Sequence, residues 1–433
     1  MHQHIHQEIL QKMNIDALNP MQEESFVHIS SDSDVILLSP TGTGKTLAFL
    51  LPLIEKIQSK QEVQILILVP ARELAIQIEQ VIRKMGAGFK VNAVYGGHSH
   101  SKDKINLQHP PAILVGTPGR VASHVRKGTF DVDMVSYLVL DEFDKALEIG
   151  FEKEMKEIIQ SLPNVQQRIL TSATQELKIP SFVSLKNPTR INYLSDSNDH
   201  LQIRRIVSPT KDKLSTLYKT LCGIGDQSGI IFCNFKDSIE RVSDFLRGHH
   251  ISHACFHGGM EQKDRERSLI MFRNGTHRIL LATDLAARGI DVPEIGFVLH
   301  YHLPNHEHEF IHRNGRTARM CKGGTAYILH WVSDTVPDFV RHAPQKELNN
   351  HNPPPQTKWN TLFISGGRKN KISKGDIAGM FIKQGKIDPD QIGLIEIKQD
   401  CTFVAVHKDV ASMIVHTLNN RRIKKKKVRI YLI

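Results

Sequence analysis

Residues 39–46 read SPTGTGKT, directly after the apolar run Val35–Leu38 and before a helix-like stretch that begins at Leu47. Gly42 and Gly44 let the backbone turn so that successive N–H groups point inward, and the following helix adds the positive end of its dipole. Inward N–H groups at a helix start bind phosphate oxygens. The segment therefore predicts a strand, a nucleotide phosphate loop and a helix, the opening unit of an α/β sheet.

Two side chains of this loop suit a nucleoside triphosphate. Lys45 reaches the β and γ phosphates as a point charge, and the Thr46 hydroxyl is placed to bind Mg²⁺. The generic pattern begins with glycine where this chain has Ser39, and a glycine- and threonine-rich turn without a ligand is the alternative interpretation. The order of strand, loop and helix favours nucleotide binding. The residues expected to line the site are Ser39, Pro40, Thr41, Gly42, Thr43, Gly44, Lys45 and Thr46.

A second segment, YLVLDEFD at residues 137–144, places carboxylates at the end of an apolar run. At the carboxyl edge of a sheet beside a phosphate loop, Asp141 is expected to hold Mg²⁺. Glu142 is expected to orient and deprotonate an attacking water. A DExD segment alone is common in surface loops. About 95 residues after the phosphate loop, however, it indicates hydrolysis of the nucleotide.

The length of 433 residues predicts two or three domains. The first residues lack a basic segment followed by an apolar one, and no run of about 18 apolar residues occurs, so we expect no membrane association. The five cysteines are isolated, which argues against disulfides and zinc and favours the cytoplasm. The alternating histidines at residues 2–6 fit a polar terminus better than a metal site, and HEHE at residues 306–309 lacks the HExxH spacing.

Positive charge is concentrated at the carboxyl end of the chain. Residues 361–433 contain 15 lysines and arginines against 6 aspartates and glutamates, an excess of nine charges, so only two of the net +11 lie elsewhere. Clustered cations attract polyanions, because neutralising phosphates releases counterions. A nucleic acid is the expected partner of this end.

The hydrophobic pattern divides the chain into three parts. Short apolar runs alternate with amphipathic stretches up to about residue 193 and again from about residue 230, which predicts two α/β lobes with parallel sheets. We expect the first lobe at residues 1–205, the second at 206–345 and a polar, proline-rich linker at 346–358. In residues 359–433 the order of candidates becomes β-α-β-β-α-β, typical of a small split-βαβ fold.

Further motifs occur in order along the lobes: PARELAIQ (residues 70–77), TPGR (117–120), SAT (172–174), HGGMEQKDR (257–265), ATDLAARGID (282–291) and HRNGRTAR (312–319). Together with the phosphate loop and DEFD, they resemble the motif series of the DEAD-box RNA helicases from about residue 14 to about residue 330. The resemblance implies two RecA-like lobes that bind and hydrolyse ATP with Mg²⁺.

The resemblance also implies roles for single residues. Gln22, in NPMQ, is similar to the family's adenine-reading glutamine, and Arg316 and Arg319 to arginines that reach the γ-phosphate. Gly289 and Asp291 are expected to line the nucleotide cleft. Coupling between the lobes is implied for Asp144, Ser172, Thr174 and His312. Contacts to the RNA backbone are implied for Pro70, Arg72, Glu73, Gly96, Gly97, Thr117, Gly119, Arg120, Arg265 and Thr283.

Several positions depart from the family pattern. Phe143 replaces the small third residue of DEAD, Ala71 a threonine and Ala318 a glycine, while Ile5 stands where an aromatic ring often packs on adenine. The charged and hydroxyl groups expected at the nucleotide site are intact. We therefore expect weaker adenine packing and retained catalysis, with a slowly turning RNA clamp as the alternative.

The tail segment TLFISGGRKNKISKGDIAGMF, at residues 361–381, resembles the RRM-like RNA-binding domain of bacterial DbpA-type helicases. That group implies anchoring to a hairpin of large-subunit (23S) ribosomal RNA and remodelling of nearby duplexes in pre-ribosomal particles, by a protein expected to act as a monomer. Phe363 and Phe403 occupy strand positions where RRMs stack bases, but packing is an equal alternative. Phosphate contacts are expected from Arg368, Lys369, Lys371, Lys424, Lys425, Lys426 and Lys427.

The sequence thus predicts an ATP-dependent RNA helicase that acts on ribosomal RNA. Two rivals remain open: an ATP-gated RNA clamp or annealing chaperone, and a DNA-stimulated helicase of the wider superfamily. The basic run RRIKKKKVR also resembles a nuclear localisation signal. It continues into a predicted strand, however, which favours RNA contact.

Overall fold

The computed structural model describes residues 2–58, 61–97, 100–175, 178–194, 201–284, 292, 295–304, 306–317, 323–349 and 352–433, except for the side chains of residues 2–5 and 308. The chain forms two compact units. The first contains one parallel sheet and ends before residue 200, and the second contains another parallel sheet together with the tail.

The sheet of the first unit has seven parallel strands in the order β3-β4-β2-β5-β6-β1-β7. They are β1 Val35–Leu38, β2 Ile65–Leu68, β3 Val91–Val94, β4 Ile113–Gly116, β5 Tyr137–Leu140, β6 Gln167–Ser172 and β7 Thr189–Asn192. The helices are α1 His2–Met13, α2 Pro20–Ser30, α3 Lys45–Lys56, α4 Arg72–Met85, α5 His100–Leu107, α6 Pro118–Arg126, α7 Phe143–Glu148 and α8 Glu152–Gln160.

Helices on both faces explain why these strands are continuous apolar runs. Along β2, Ile65 and Ile67 belong to one hydrophobic core, whereas Leu66 and Leu68 belong to another on the opposite face. Burial on both faces is the property of parallel sheets on which the sequence prediction relied.

The second parallel sheet has six strands in the order β10-β11-β9-β12-β13-β8. They are β8 Leu201–Ser208, β9 Gly229–Phe232, β10 His253–Phe256, β11 Ile279–Ala282, β12 Phe297–His300 and β13 Gly324–Trp331. The helices are α9 Leu214–Ile224, α10 Lys236–Gly248, α11 Gln262–Arg273, α12 Glu307–Asn314 and α13 Asp338–Arg341. The boundary expected near residue 205 falls inside β8, which belongs wholly to this sheet. The hydrophobic pattern did not predict this strand, because its sequence, LQIRRIVS, contains polar residues.

The tail forms a four-stranded antiparallel sheet in the order β15-β16-β14-β19. Its elements are β14 Trp359–Ile364, α14 Lys374–Lys383, β15 Ile392–Ile397, β16 Thr402–His407, α15 Lys408–Leu418 and β19 Ile430–Leu432, with a hairpin of β17 Arg422–Ile423 and β18 Lys426–Lys427 before the last strand. The predicted β-α-β-β-α-β order is confirmed, and the basic run forms the hairpin. The hydrophobic core of the tail includes Leu362, Ile364, Phe381, Val404 and Ile414.

None of the helices in the part of the chain that the structure describes is long and apolar enough to span a bilayer.

Candidate nucleotide and RNA sites

The phosphate loop follows β1 with the backbone geometry that its glycines allow. Gly42 and Gly44 both have φ of +89°, in the left-handed region, and α3 begins at Lys45 immediately after them. The Ser39 and Thr43 hydroxyls lie 2.7 Å apart, and Thr43 also donates a hydrogen bond to the Pro40 carbonyl at 3.0 Å. Ser39, which replaces the usual first glycine, therefore helps to hold the loop.

Lys45 turns its ammonium back into this loop. Its Nζ donates to the carbonyl oxygens of Ser39 at 2.5 Å and Pro40 at 3.0 Å, and the residue is 8% exposed. Burial lowers the pKa of Lys45, while the carboxylates of Asp141, Glu142 and Asp144 act in the opposite direction. A partly desolvated ammonium beside flexible carbonyl partners can exchange them for phosphate oxygens.

Gln22 contacts the same loop from the start of α2. Its Nε2 donates to the Gly44 carbonyl at 3.2 Å, and a Cβ added at Gly44 would lie 2.4 Å from that nitrogen. Asn19 and Gln22 form a capping box, and the Asn19 amide also donates to the Thr43 carbonyl at 3.0 Å. Asn19 was not predicted, although an Asn three residues before a Gln is a capping-box signal.

The order of the strands brings the carboxylates to this edge. β6 lies between β5, which ends before Asp141, and β1, which ends before Ser39, so the two segments are two strand spacings apart, about 10 Å. Asp141 Oδ1 accepts from Thr171 Oγ1 at 2.5 Å and from the Glu142 N–H at 3.2 Å. Burial, and secondly Glu142, raises the pKa of Asp141 to about 6.

Glu142 has a constrained backbone. Its φ is +49°, unusual for a side chain of this size, and its N–H also lies 3.1 Å from Thr171 Oγ1. Glu142 Oε2 is 3.6 Å from Lys145 Nζ in a buried pair. Thr171 therefore holds both acidic residues through one hydroxyl, a role that sequence reasoning missed because Thr171 precedes the SAT motif by one position.

The last carboxylate of DEFD joins the SAT motif. Asp144 Oδ2 accepts from the Ala173 N–H at 3.3 Å and from Thr174 Oγ1 at 3.2 Å. Ser172 Oγ accepts from the Thr174 N–H at 3.0 Å. Three of the four residues predicted to couple the lobes thus form one hydrogen-bonded cluster, while His312 lies buried on α12 in the second unit.

Two of the segments predicted to contact RNA meet on the first lobe. The Arg72 guanidinium lies over the Gly96–Gly97 turn, where a Cβ added at Gly97 would stand 2.7 Å from Arg72 Nη1. Gly97 has φ of +85°, a backbone conformation that favours glycine. Three other residues predicted to contact RNA are buried. Pro70 lies shortly after β2, Glu73 lies in the first turn of α4, and Thr117 is the N-cap of α6.

Arg120, another residue predicted to contact RNA, has its partners within the first lobe. Its Nε and Nη2 lie 2.8 and 2.6 Å from Asp103 Oδ2, and His124 Nε2 lies 3.3 Å from the same oxygen. Arg120 and Asp103 are 7% and 1% exposed. The guanidinium therefore joins α6 to α5 beside Thr117 and Gly119, and the contact of Arg120 with RNA stays a prediction.

In the second lobe, Arg265 packs its guanidinium carbon 4.8 Å from the centre of the Phe256 ring, and the Thr283 N–H lies 3.4 Å from the Phe256 carbonyl. Arg316 is 5% exposed. Three predicted residues, Arg319, Gly289 and Asp291, lie outside the described residues, as does Ala318.

Arg313, which sequence reasoning missed, joins the ATD and HRNGR motifs. Its Nε and Nη2 lie 2.6 and 2.5 Å from the two Asp284 oxygens, and its Nη1 donates to the His302 carbonyl at 2.6 Å. Its guanidinium carbon is also 5.1 Å from the centre of the Phe232 ring. The pair fixes α12, at whose end Arg316 follows, against the loop after β11. The HRNGR motif was a signal for it.

The tail presents most of its predicted cations at the surface. Arg368, Lys369, Lys371 and residues 424–427 are exposed. Lys424 Nζ donates to the Lys371 carbonyl at 2.7 Å and pairs with Asp376, whose pKa it lowers to about 2. These contacts attach the β17–β18 hairpin to Lys371 and to the first turn of α14. We call this exposed surface, made of Arg368, Lys369, Lys371 and residues 424–427, the basic rim.

The two predicted aromatic residues differ. Phe363 is half-buried and stacks on Tyr431 with ring centres 4.7 Å apart. Phe403 is 5% exposed and meets Phe363 edge-on at 5.6 Å. Phe403 is therefore packed in this structure, one of the two alternatives given for it, and its contact with RNA stays a prediction. Tyr431, 42% exposed, was missed because it lies in a three-residue strand beyond the basic run.

Known proteins match this arrangement along nearly its whole length. The model of the DEAD/DEAH box helicase family matches residues 19–181, that of the helicase conserved C-terminal domain residues 212–321, and that of the DbpA RNA binding domain residues 361–432. ATP-dependent RNA helicase DbpA of Bacillus subtilis (strain 168) is 32% identical, over 92% of this chain and 91% of its own. The chain belongs to the DbpA group of DEAD-box ATP-dependent RNA helicases.

Its DbpA relative from Escherichia coli (strain K12) is also 32% identical, over 98% of this chain and 96% of its own. Among solved structures, Mss116p bound to ssRNA and AMP-PNP matches with a TM-score of 0.70 at 26% identity, covering 79% of this chain and 77% of that one. Dbp5 of S. cerevisiae bound to RNA and ADP BeF3 matches with a TM-score of 0.66 at 26% identity, covering 76% and 88%. This DbpA-type chain is an RNA-stimulated ATPase that binds ATP and RNA.

Two departures from the family pattern have a structural reason. Phe143 is fully buried in the hydrophobic core on one face of the first sheet, so the larger side chain fills space that the core provides. Ala71 occupies the N-cap of α4, where it makes no side-chain cap hydrogen bond and packs against the other core. Neither change removes a charged or hydroxyl group from the nucleotide site.

Proposed function

We propose that this chain uses Mg²⁺ and ATP to remodel structured RNA of the large ribosomal subunit, and that the tail selects the RNA. The observation that supports hydrolysis most strongly is the buried Asp141 carboxyl, which follows β5, precedes Glu142 and accepts a hydrogen bond from Thr171. A desolvated carboxylate at a strand end suits a hard cation with oxygen ligands. Asp141 and the Thr46 hydroxyl are the groups that would hold Mg²⁺, which neutralises phosphate charge when bound.

The chain's own residues supply the other parts of the reaction. Lys45 exchanges its loop carbonyls for the β and γ phosphates, and Glu142 accepts a proton from the attacking water. Arg316 and Arg319 stabilise the developing negative charge. Gln22 recognises adenine while it holds the phosphate loop, and Gly289 and Asp291 line the cleft. Asp144, Ser172, Thr174 and His312 couple nucleotide state to lobe closure.

RNA contacts are proposed on the lobes at Pro70, Arg72, Glu73, Gly96, Gly97, Thr117, Gly119, Arg265 and Thr283. For the tail we propose a 23S hairpin bound through the basic rim, because seven exposed cations there are joined in one surface. Phosphate contacts of this kind position a protein on RNA. The match of residues 361–432 to the DbpA RNA binding domain supports this choice. We further propose a cytoplasmic monomer that acts on pre-ribosomal particles.

The proposal is tested by ATP hydrolysis and displacement of a short duplex by the full chain. One RNA substrate carries a hairpin from large-subunit ribosomal RNA, and a matched one carries a scrambled hairpin. We expect faster hydrolysis and ATP-dependent displacement with the first. Tight binding with no displacement would identify an ATP-gated clamp, and equal stimulation by DNA would rule out an RNA-specific enzyme.

A further inference from the structure

The most exposed large hydrophobic residue in the described part of the chain is Phe235, at 68%. It is the N-cap residue of α10, three positions after the end of β9. A single exposed apolar side chain is ordinary on a protein surface, so exposure alone indicates no function. The surroundings of Phe235 distinguish it from such residues, because its loop is fixed and lies beside residues proposed above to contact RNA.

The loop that carries this ring is held by three hydrogen bonds of Asn234. Its Nδ2 donates to the Leu303 carbonyl at 3.2 Å, and its Oδ1 accepts from Arg313 Nη2 at 2.9 Å. Its backbone N–H donates to His302 Nδ1 at 3.3 Å. These partners follow β12 or lie on α12, so the loop after β9 is tied to the neighbouring strand end and helix.

The imidazole of His302 also limits where the Phe235 ring can lie. Burial, assisted by the cations of Lys213 and Arg313, lowers the pKa of His302 to about 4. The imidazole is therefore neutral at physiological pH, and its Nδ1 can accept the Asn234 N–H. The ring centres of Phe235 and His302 are 6.4 Å apart in a T-shaped contact, and the ring surface away from His302 is accessible.

Phe235 lies at the carboxyl edge of the second sheet. The strands β10, β11, β9 and β12 are consecutive and parallel in this sheet, so the segments that follow them share one edge. Thr283, a proposed RNA contact, directly follows β11, the neighbour of β9, and adjacent strands are about 4.8 Å apart. Ligands of parallel sheets bind at this edge. The position of Phe235 therefore suits contact with a ligand that also reaches Thr283.

Positive charge lies on the same edge. Lys236 is exposed, and it follows Phe235 as the first residue of α10. Burial lowers the pKa of His257, which follows β10, and the cations of Lys236 and Arg265 act in the same direction. Both cations are therefore close enough to act on one imidazole. This places the loop of Phe235 near Arg265, the other proposed RNA contact of the second lobe.

We propose that Phe235 is a base-stacking residue, which binds the face of one base in a single strand of RNA whose backbone contacts Arg265 and Thr283. This inference rests on the RNA contacts proposed above for the second lobe. An aromatic ring beside cations suits a single strand, because the cations attract the phosphates and every base has a planar surface that can stack. A ring held in place by its loop loses little freedom on binding.

Stacking on Phe235 favours single-stranded RNA over duplex RNA. A base inside a duplex is covered on both faces by its neighbours, so it must leave the duplex before it can stack on a protein ring. The contact therefore stabilises a separated strand on the second lobe, and it tolerates any sequence because all bases can stack.

The affinity of the full chain for a short single-stranded RNA without the ribosomal hairpin, measured with AMP-PNP, tests the contact. We expect Phe235→Ala to weaken binding by roughly 5- to 150-fold, the contribution of stacking one base. Phe235→Trp keeps an aromatic surface and should retain the affinity. Val332→Ala is the matched control and should cause no change, because Val332 is 62% exposed after β13 on the same edge.

An RNA whose central nucleotides lack bases but keep their phosphates separates stacking from the attraction of charge. We expect the unaltered protein and Phe235→Ala to bind this RNA equally, because it offers no base to the ring. With the intact strand, Phe235→Ala should leave the slope of log affinity against log salt unchanged. Arg265→Gln should lower that slope by about 0.7, the value for one lost phosphate contact of a single strand.

Two results would overturn the inference. Equal affinity of Phe235→Ala and the unaltered protein for the intact strand shows that the ring binds no base. A loss with Phe235→Ala that persists at the same size on the abasic strand shows that the substitution acts on the loop and not through stacking. If Arg265→Gln alone weakens binding, only the stacking contact fails. If neither substitution weakens binding, the RNA contacts proposed for the second lobe fail as well.

Discussion

Asp141 is the residue whose environment most affects the chemistry of the nucleotide site. Its carboxyl is 4% exposed, and burial keeps its pKa at about 6, although the Thr171 hydroxyl and Lys45 act to lower it. Above that pH the group is an anion that can hold a cation. Below it the group is protonated and neutral, so its contribution to cation binding is lost as the pH falls.

We therefore predict that the Mg²⁺ concentration for half-maximal ATP hydrolysis rises as the pH falls through about 6. Thr171→Val removes a hydrogen bond that favours the anion, so it should move this transition to a higher pH. Hydrolysis measured against Mg²⁺ concentration at a series of pH values, at saturating RNA, checks both statements. A transition at the same pH in both proteins would remove Thr171 from this role.

Glu142 is the proposed base, and Glu142→Gln keeps its size while removing its charge. We predict normal ATP binding and a loss in the rate of hydrolysis of roughly 10² to 10⁴. The variant should also release RNA more slowly in the presence of ATP, because hydrolysis permits release. Single-turnover hydrolysis and RNA dissociation rates measure the two effects. Turnover at the rate of the unaltered protein would contradict the assignment.

The residues whose surroundings the sequence did not predict are those whose partners are distant in the chain. Arg120 forms an ion pair with Asp103, seventeen residues earlier, and no local spacing indicates such a pair. Phe403 is buried on a face that the second lobe covers, which the alternating pattern of β16 cannot reveal. The phosphate loop was predictable because its chemistry lies within eight consecutive residues.

Among the elements, the start of α2 holds the phosphate loop through Asn19 and Gln22, the proposed adenine-recognising residue. Asn19→Ala removes a cap, which costs about 1 kcal/mol of stability, and also the hydrogen bond to the Thr43 carbonyl. We predict weaker ATP binding together with a lower melting temperature. Ser373→Ala, which removes the cap of α14, is the matched control and should leave ATP affinity unchanged. Equal ATP affinity in all three proteins would show that the cap does not shape the loop.

The β17–β18 hairpin is the element predicted to meet phosphates. Lys425→Glu with Lys426→Glu should lower the slope of log affinity against log salt by about one to two units, since each lost phosphate contact removes one released counterion. Lys383→Glu with Lys386→Glu makes the same charge change at two other exposed positions of the tail. If both double variants change the slope equally, net charge explains binding and the hairpin has no special role.

Strands differ in how well their sequences predicted them. β2 and β5 were clear because strands buried on both faces are apolar throughout. β6 begins with Gln167 and Arg168. The Gln167 amide is buried, and it donates hydrogen bonds to the carbonyls of Ile29 and Ser33. Four of the eight residues of β8 are polar. Tertiary partners compensate for the polarity of such strands, and these partners are not visible in a local pattern.

At the scale of the whole molecule, the sequence predicted the ordered parts correctly: two parallel-sheet lobes and a small antiparallel tail, each with its own hydrophobic core. It did not predict that the second lobe and the tail form one compact unit, because the residues that join them, such as Arg273 and Glu396, are ordinary surface types. The proline-rich segment 346–358 predicts a linker that separates the two, yet Thr357 within it hydrogen-bonds the second lobe.

The central claim is that RNA chosen by the tail accelerates hydrolysis of ATP by the lobes. The most direct test is steady-state ATP hydrolysis by the full chain, without RNA and with RNA that carries the large-subunit ribosomal hairpin. We predict slow hydrolysis alone and an increase of at least about tenfold with the hairpin, which corresponds to about 1.4 kcal/mol of activation free energy. The same rate with and without RNA would contradict the account.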